Sequence, residues 1–406
     1  MRNRWLIALA AVGIHISIGS VYAWSVVTRP IMAEMGFTLQ ETTWAFSLAI
    51  LFLGTSAGLL GRLVEKYGPR ASGLTAACFF GAGMLGTAYA LYVHSLPLLY
   101  LFYGCIGGIG LGVGYITPVS TLVKYFPRHR GFAAGLAIMG FGFASLVAGP
   151  VMQQLVASFG LAENFLLMGV AYFVIMTCSA LYLQPPVAAD VQAYAVLTRG
   201  YTAAEALKTW QFAALWWIFF VNITCGIGLL AVASPMAQEI AAFTPAEAAS
   251  LVGVIGLING LGRIVWSTLS DAVGRSRTYI VFFLLEIVAF ALLGSVTSSW
   301  LFVFLVLLII SCYGGGFSCM PAYLSDLFGT KELGAIHGRI LTAWGIAGVV
   351  GPYLVAVFRE MTKGYSTILY FFAGCFVLNL LLAAGLHFYG KPKAKTLSEA
   401  DLCEAK

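Results

Sequence analysis

"GLINGLGRIVWSTLSDAVGR", residues 256–275, is the stretch whose reading decides the fold. Most of it is apolar or small enough to dissolve in lipid, yet Arg263 stands inside it, eight positions before the first acid, Asp271. Eight residues span about 12 Å of helix rise. With Asp271 near a membrane surface, the Arg263 backbone therefore lies near the bilayer midplane. A guanidinium there costs roughly 2.5 to 3.5 kcal/mol on insertion scales, so something must compensate it.

The rest of the chain has the same lipid-soluble character. Its 406 residues are 60% hydrophobic and only 9% charged, and many runs of about 20 residues carry one charge or none, enough to cross a hydrocarbon core as a helix. In lipid a helix satisfies every backbone group internally, and the runs are too continuous for alternating barrel strands. Twelve spans are expected, at about 5–27, 43–62, 72–93, 97–121, 131–156, 162–183, 210–233, 246–269, 278–297, 300–324, 338–358 and 366–388. The first follows "MRNR" as a signal peptide would. Its length and its exit, "YAWSVVTRP", instead predict a retained helix.

Lys and Arg are enriched in cytoplasmic loops. Numbering alternate connections puts eighteen of them on one side and three on the other, which predicts that both termini are cytoplasmic. The net charge of +6 thus reads as topology, with no nucleic-acid partner. The cysteines lie mostly within spans, without CxxC or other metal-ligand spacing, and read as packing. No cofactor and no metal are expected.

The longest hydrophilic interruption, 184–209, divides the chain. The expected organisation is a six-helix bundle at 1–183, a cytoplasmic linker at 184–209, a second six-helix bundle at 210–389 and a cytoplasmic tail at 390–406. The halves repeat weakly. "GRLVEKYGPR" follows span two and "STLSDAVGRSR" ends span eight; Glu65 and Asp271 each precede a glycine, Gly68 and Gly274, by three positions. Spans four and ten carry a glycine cluster before Pro118 and Pro321, and spans five and eleven share a Gly-Pro pair. The run "GIGLGVG", 108–114, lies inside a span with no preceding strand; it reads as close helix packing, not a nucleotide loop.

This pattern resembles the major facilitator superfamily of secondary transporters. The family's loop signature is matched by Gly61, Glu65, Lys66, Gly68 and Arg70, and its second copy by Asp271, Gly274 and Arg275, with Ser267 in place of the first glycine. The resemblance implies an all-α membrane protein of twelve transmembrane helices in two pseudo-symmetric bundles. The acid and cations at these helix ends can act as a conformational latch or as topology anchors.

Two partners compete for Arg263: Glu286 of span nine, at comparable depth, or a substrate carboxylate in a water-filled central cavity, which the guanidinium fork suits. Asn259 is one turn earlier on the same face, Tyr115 lies at similar depth, and Tyr313 and Phe317 share a face at i and i+4. Tyr22 belongs to an interfacial belt or caps the site. His15 is a lone intramembrane histidine, read as packing or as a proton carrier.

"NGLGRIVWSTLSDAVGR", "YGGGFSCMPAYLSDLFG" and "GVGYITPVSTLVKYFP" resemble the oxalate/formate antiporter-like and monocarboxylate transporter branch. By that resemblance Arg263 binds a substrate carboxylate and Tyr115, Tyr313 and Phe317 surround it. Oxalate exchangers carry a second cation in span eleven, where this chain has Trp344; a second carboxylate would be left unpaired. The aspartate that precedes the arginine by one turn in animal monocarboxylate carriers is here Asn259, which cannot titrate. Glu286 and His15 become the proton-coupling candidates. The expectation is a secondary transporter of small monocarboxylates such as lactate or pyruvate, proton-coupled, monomeric, in a bacterial or archaeal cell membrane and not an enzyme. An oxalate/formate-type exchanger and a small-anion sensor are the alternatives.

Overall fold

The computed structural model describes residues 3–186 and 200–390. Most of the expected linker, 187–199, and of the expected tail, 391–406, lies outside the described residues. Among the described residues twelve helices are long and apolar enough to cross a membrane. They are α1 (Arg4–Met35), α2 (Leu39–Leu60), α3 (Leu63–Tyr92), α4 (Leu96–Tyr125), α5 (Arg130–Phe159) and α6 (Leu161–Tyr182), then α7 (Trp210–Ile240), α8 (Pro245–Val273), α9 (Arg275–Leu293), α10 (Ser299–Phe328), α11 (Leu333–Thr362) and α12 (Ser366–Tyr389). The chain is an all-α, integral multi-pass membrane protein.

Several helices outrun the apolar segments that announce them. Thr38 with Glu41, and Thr244 with Glu247, form capping boxes that start α2 and α8 in polar sequence. A third box, Thr202 with Glu205, starts a short helix at Ala203–Leu207. It is tied to the α10–α11 connection, where Ala203 N–H donates to Glu332 Oε2 at 2.8 Å.

One span departs from a simple rod. α1 is α-helical over Arg4–Ile18, tightens to a 3₁₀ turn over Gly19–Ala23 and resumes at Trp24–Met35. The turn falls where α1 crosses α5 so closely that a Cβ on Gly19 would sit 2.6 Å from the Phe141 carbonyl oxygen. It carries Tyr22.

Packing fixes what the membrane contains. α3 lies along α6 and α9 along α12. α6 and α12 expose large apolar side chains, among them Leu166, Val170, Phe173, Leu378 and Leu381, as lipid contact requires. The first six spans meet the last six chiefly along two helix pairs, α2 with α11 and α5 with α8. Both contacts are tight toward the end of the molecule rich in Lys and Arg, here called the basic end. At Gly61 on that end of α2, a Cβ would come 2.5 Å from the Gly334 carbonyl oxygen, so only a glycine lets the helices touch. Toward the other end the α8 surface is open at Gly253, where a Cβ would meet nothing within 4 Å. The molecule is therefore shut at its basic end.

Candidate functional site

Arg263 is fully buried, as are Tyr115, Tyr313, Phe317 and Trp344, so the expected water-filled cavity is closed over in this conformation. Its Nε donates to Asn259 Oδ1 at 3.3 Å and its Nη1 to the Ile138 carbonyl at 3.2 Å, across the α5–α8 contact. The guanidinium carbon lies 5.2 Å from the centre of the Phe317 ring and 5.9 Å from that of Phe141, within cation–π range. The expected alternative, an ion pair with Glu286, is not made. Glu286 is buried within the last six spans beside Cys225, Cys312 and Tyr279, and its Oε2 has no hydrogen-bond partner.

Around the guanidinium the rings form a cage. Trp344 of α11 is 4.8 Å from Phe317, 5.3 Å from Tyr115 and 5.6 Å from Phe141, centre to centre. Tyr313 packs on Phe317 at 5.3 Å, as their spacing predicts. The 3₁₀ turn of α1 delivers Tyr22 against Phe141 at 5.1 Å and toward Trp344 at 6.5 Å. Six helices from both halves of the chain thus contribute to one compartment, with Asn259 and Arg263 on its α8 side.

The polar tips in this cage share one property. The hydroxyls of Tyr22, Tyr115 and Tyr313, the Trp344 indole nitrogen and Arg263 Nη2 are buried without hydrogen-bond partners. The Tyr22 hydroxyl lies next to Tyr313 and Arg263 but short of hydrogen-bond geometry with either. Buried polar groups are ordinarily paired, and each exception calls for an explanation. Here the unpaired groups are all donors or hydroxyls around one cation, which is what the oxygens of a small anion require.

Sequence reasoning missed Phe141, the ring at the centre of the cage. Its signal was "GFGF", 140–143, in which glycines clear the α5 surface for Arg263: a Cβ on Gly142 would sit 2.9 Å from the Gly260 Cα and 3.3 Å from the guanidine Nε. His15 lies at the cage edge, its ring 5.1 Å from that of Tyr115. Its Nδ1 is 2.5 Å from the Ala137 carbonyl and its Nε2 3.0 Å from that of Tyr115.

At the basic end two acids each seize the start of a helix from the other half. Asp271 accepts the Gly131 and Phe132 N–H groups, both at 2.9 Å, at the N-terminus of α5, and is bonded by Arg275. Arg275 also reaches Asp326 at 3.1 Å, and Arg130 reaches Asp326 at 3.3 Å and Ser325 Oγ at 2.8 Å. Glu65 accepts the Gly334 N–H at 2.8 Å, at the N-terminus of α11, with Lys124 3.8 Å away. Carboxylates are favoured at helix N-termini by the free N–H groups and the helix dipole. Gly68 and Gly274, at φ of 80° and 98°, make the turns beside these acids. Lys66 and Arg70 are placed elsewhere: both are exposed, and Lys66 lies over the Tyr67 ring. The cations beside the first-half acid and its partner helix are instead Lys124 and Arg62, the latter 3.8 Å from Glu332.

Two sets of helices gripping a buried, charged compartment between them, shut at one end by breakable ionic contacts, define a membrane transporter. The Major Facilitator Superfamily profile matches residues 7–235 and 215–402, and the chain belongs to that family. The chain is 28% identical over 361 residues to the oxalate:formate antiporter of Oxalobacter formigenes, covering 87% of this chain and 84% of the antiporter. It is 24% identical over 419 residues to monocarboxylate transporter 11 of Homo sapiens, covering 96% and 83%. Its fold is similar to that of the proton:xylose symporter XylE, with a TM-score of 0.77 over 98% of both chains at 15% identity.

The basic-end contacts generate a first test. Cys319 is fully buried beside Ser270 and Arg275. Asp271→Asn removes charged hydrogen bonds worth about 1.5 to 3 kcal/mol each, so it should raise the labelling rate of Cys319 by a water-soluble maleimide about tenfold or more. Cys319→Ala supplies the blank, and an unchanged rate would count against Asp271 as a latch.

Proposed function

We propose that this transporter moves a small monocarboxylate, of the size of lactate or pyruvate, together with a proton by alternating access. The observation that carries this reading is the convergence of one unpaired guanidinium nitrogen and four unpaired O–H or N–H groups in a closed aromatic cage. In it Arg263 clasps the carboxylate, Asn259 fixes the guanidinium from behind, and Tyr22, Tyr115 and Tyr313 donate to the remaining oxygens. Phe317 and Trp344 bound the short carbon body. The rocking units are the two six-helix halves, 1–183 and 210–389, joined by 184–209. Both termini and the basic end face the cytoplasm. Glu65, Asp271 and Arg275, with glycines 61, 68 and 274, shut that side.

Charge count favours one carboxylate over two. Arg263 is the cage's cation, and Trp344 occupies the place where the oxalate exchangers, by the resemblance, put a lysine. A dianion would leave about one negative charge unpaired in a dry compartment, which is costly. The similarity to an oxalate:formate antiporter supports exchange as the second reading, with formate as a compatible monoanion.

Reconstituted vesicles test this directly. Labelled lactate or pyruvate should accumulate under an inward proton gradient, and failure of any small monocarboxylate to do so would remove the symport reading. Arg263→Lys should lose at least about 90% of uptake, since an ammonium cannot give the paired bonds of the fork; uptake at the wild-type rate would sink the carboxylate clasp. Trp344→Lys is expected to raise competition by oxalate about tenfold relative to lactate, the scale of one added charged hydrogen bond. An unaltered preference would mean that Trp344 does not select between mono- and dianions.

A further inference from the structure

The mechanism above leaves several buried titratable groups unused, among them His15, Glu286 and His337. His337 sits in the first turns of α11, three residues after Gly334, whose N–H is held by Glu65. Trp344 of the cage follows seven residues later, about 10 Å along the helix. The imidazole is 1% exposed, and neither ring nitrogen has a hydrogen-bond partner among the described residues. It therefore lies on the path between the cage and the basic-end latch, outside the cage itself. Its ring centre is 6.0 Å from that of Tyr115, which also contacts His15, Phe141 and Trp344.

The two histidines differ in what their surroundings permit. His15 has a backbone carbonyl at each nitrogen, so it is held in place by the fold. His337 has two free nitrogens in a dry compartment and can take a proton on either. The titratable groups its neighbouring helices carry are few. α1 offers His15 and Tyr22, and α4 offers Tyr115 and, at its end, Lys124. α2 has none between Glu41 and Arg62, α3 begins with Glu65, α7 has only Cys225 before Glu239, and α10 carries Cys312, Tyr313, Cys319, Tyr323 and Asp326. Beyond α11 itself, the short helix at Ala203–Leu207 has Glu205, and α12 has Tyr370, Cys375, His387 and Tyr389. An acid able to pair with a protonated His337 appears only at the latch, where Glu65 is already engaged.

We propose that His337 is the proton-holding station of the transport cycle. This rests on the symport reading above. A carboxylic acid entering the cage gives up its O–H proton, which passes by way of the Tyr115 side of the cage to a ring nitrogen of His337, leaving the carboxylate on Arg263 and an imidazolium on α11. When the halves part at the basic end, the latch beside Gly334 opens, water reaches His337, and proton and anion leave on the same side. Without an anion, a protonated His337 would put two unpaired cations, itself and Arg263, in the closed, dry interior of the protein. The closed form then excludes the proton alone, so protons do not cross without the acid.

The test compares His337→Gln with the wild type in proteoliposomes, using lactate or pyruvate, whichever the wild type accumulates. His337→Gln is expected to cut accumulation driven by a proton gradient about tenfold or more, the usual scale for losing a proton-transfer group, and to abolish substrate-induced alkalinisation of the medium. Exchange of labelled for unlabelled substrate, and substrate quenching of tryptophan fluorescence, should be retained. If the variant keeps gradient-driven accumulation and alkalinisation, His337 does not hold the proton and symport uses another group. If exchange and binding are lost as well, its role is structural and the proposal fails. If the wild type itself shows no proton-driven accumulation, the symport reading falls first.

Discussion

The positive charge of Arg263 in the middle of the membrane constrains everything around it. A buried guanidinium must find acceptors, and the fold supplies few: the Asn259 amide, the Ile138 carbonyl and the π faces of Phe141 and Phe317. Two of these four belong to α5, in the other half of the chain from α8. The compensation of the charge and the contact between halves are therefore one structure. A ligand that engages Arg263 acts directly on the seam along which the halves meet.

The latch at the basic end obeys the same economy. Asp271 and Glu65 each sit at the end of one helix contact and bond to the first N–H groups of a helix from the opposite half. These bonds are strong because a carboxylate meets a helix N-terminus, and breakable because water can replace every partner once the ends separate. An apolar seal of equal area would resist wetting. An ionic one tolerates both states, as alternating access needs.

Much of this was legible in the sequence, for physical reasons that also set its limits. Twelve apolar runs can only be spans, and a lone arginine at midspan must matter; hence the fold, Arg263, Asn259 and the Tyr313–Phe317 pair were readable from spacing along single helices. What was not readable depends on contacts between helices. The 3₁₀ turn that brings in Tyr22 arises from the close crossing of α1 and α5 at Gly19. Phe141 is one of 29 phenylalanines, and the flanking glycines of "GFGF" mark a close approach without saying that the approaching group is the Arg263 guanidinium of another helix. Likewise the acids Glu65 and Asp271 stood out among the cations of the basic end, while the cations nearest the first-half acid and its partner helix are Lys124 and Arg62 rather than the adjacent Lys66 and Arg70.

The placement of Trp344 turns the geometry toward selectivity. Its ring contacts Tyr115, Phe141 and Phe317 at once, so it closes the cage on the side opposite Arg263 with apolar surface and a single N–H donor. On the proposed reading, a carboxylate on Arg263 would gain paired bonds at one end, and its carbon body would then meet rings that repay burial but cannot neutralise charge. A longer or doubly charged acid would have to displace aromatic packing from both halves, and with it the contacts that let the compartment close. On that reading, size and charge selection follow from the same requirement as transport itself: the halves would close only around what the cage can hold.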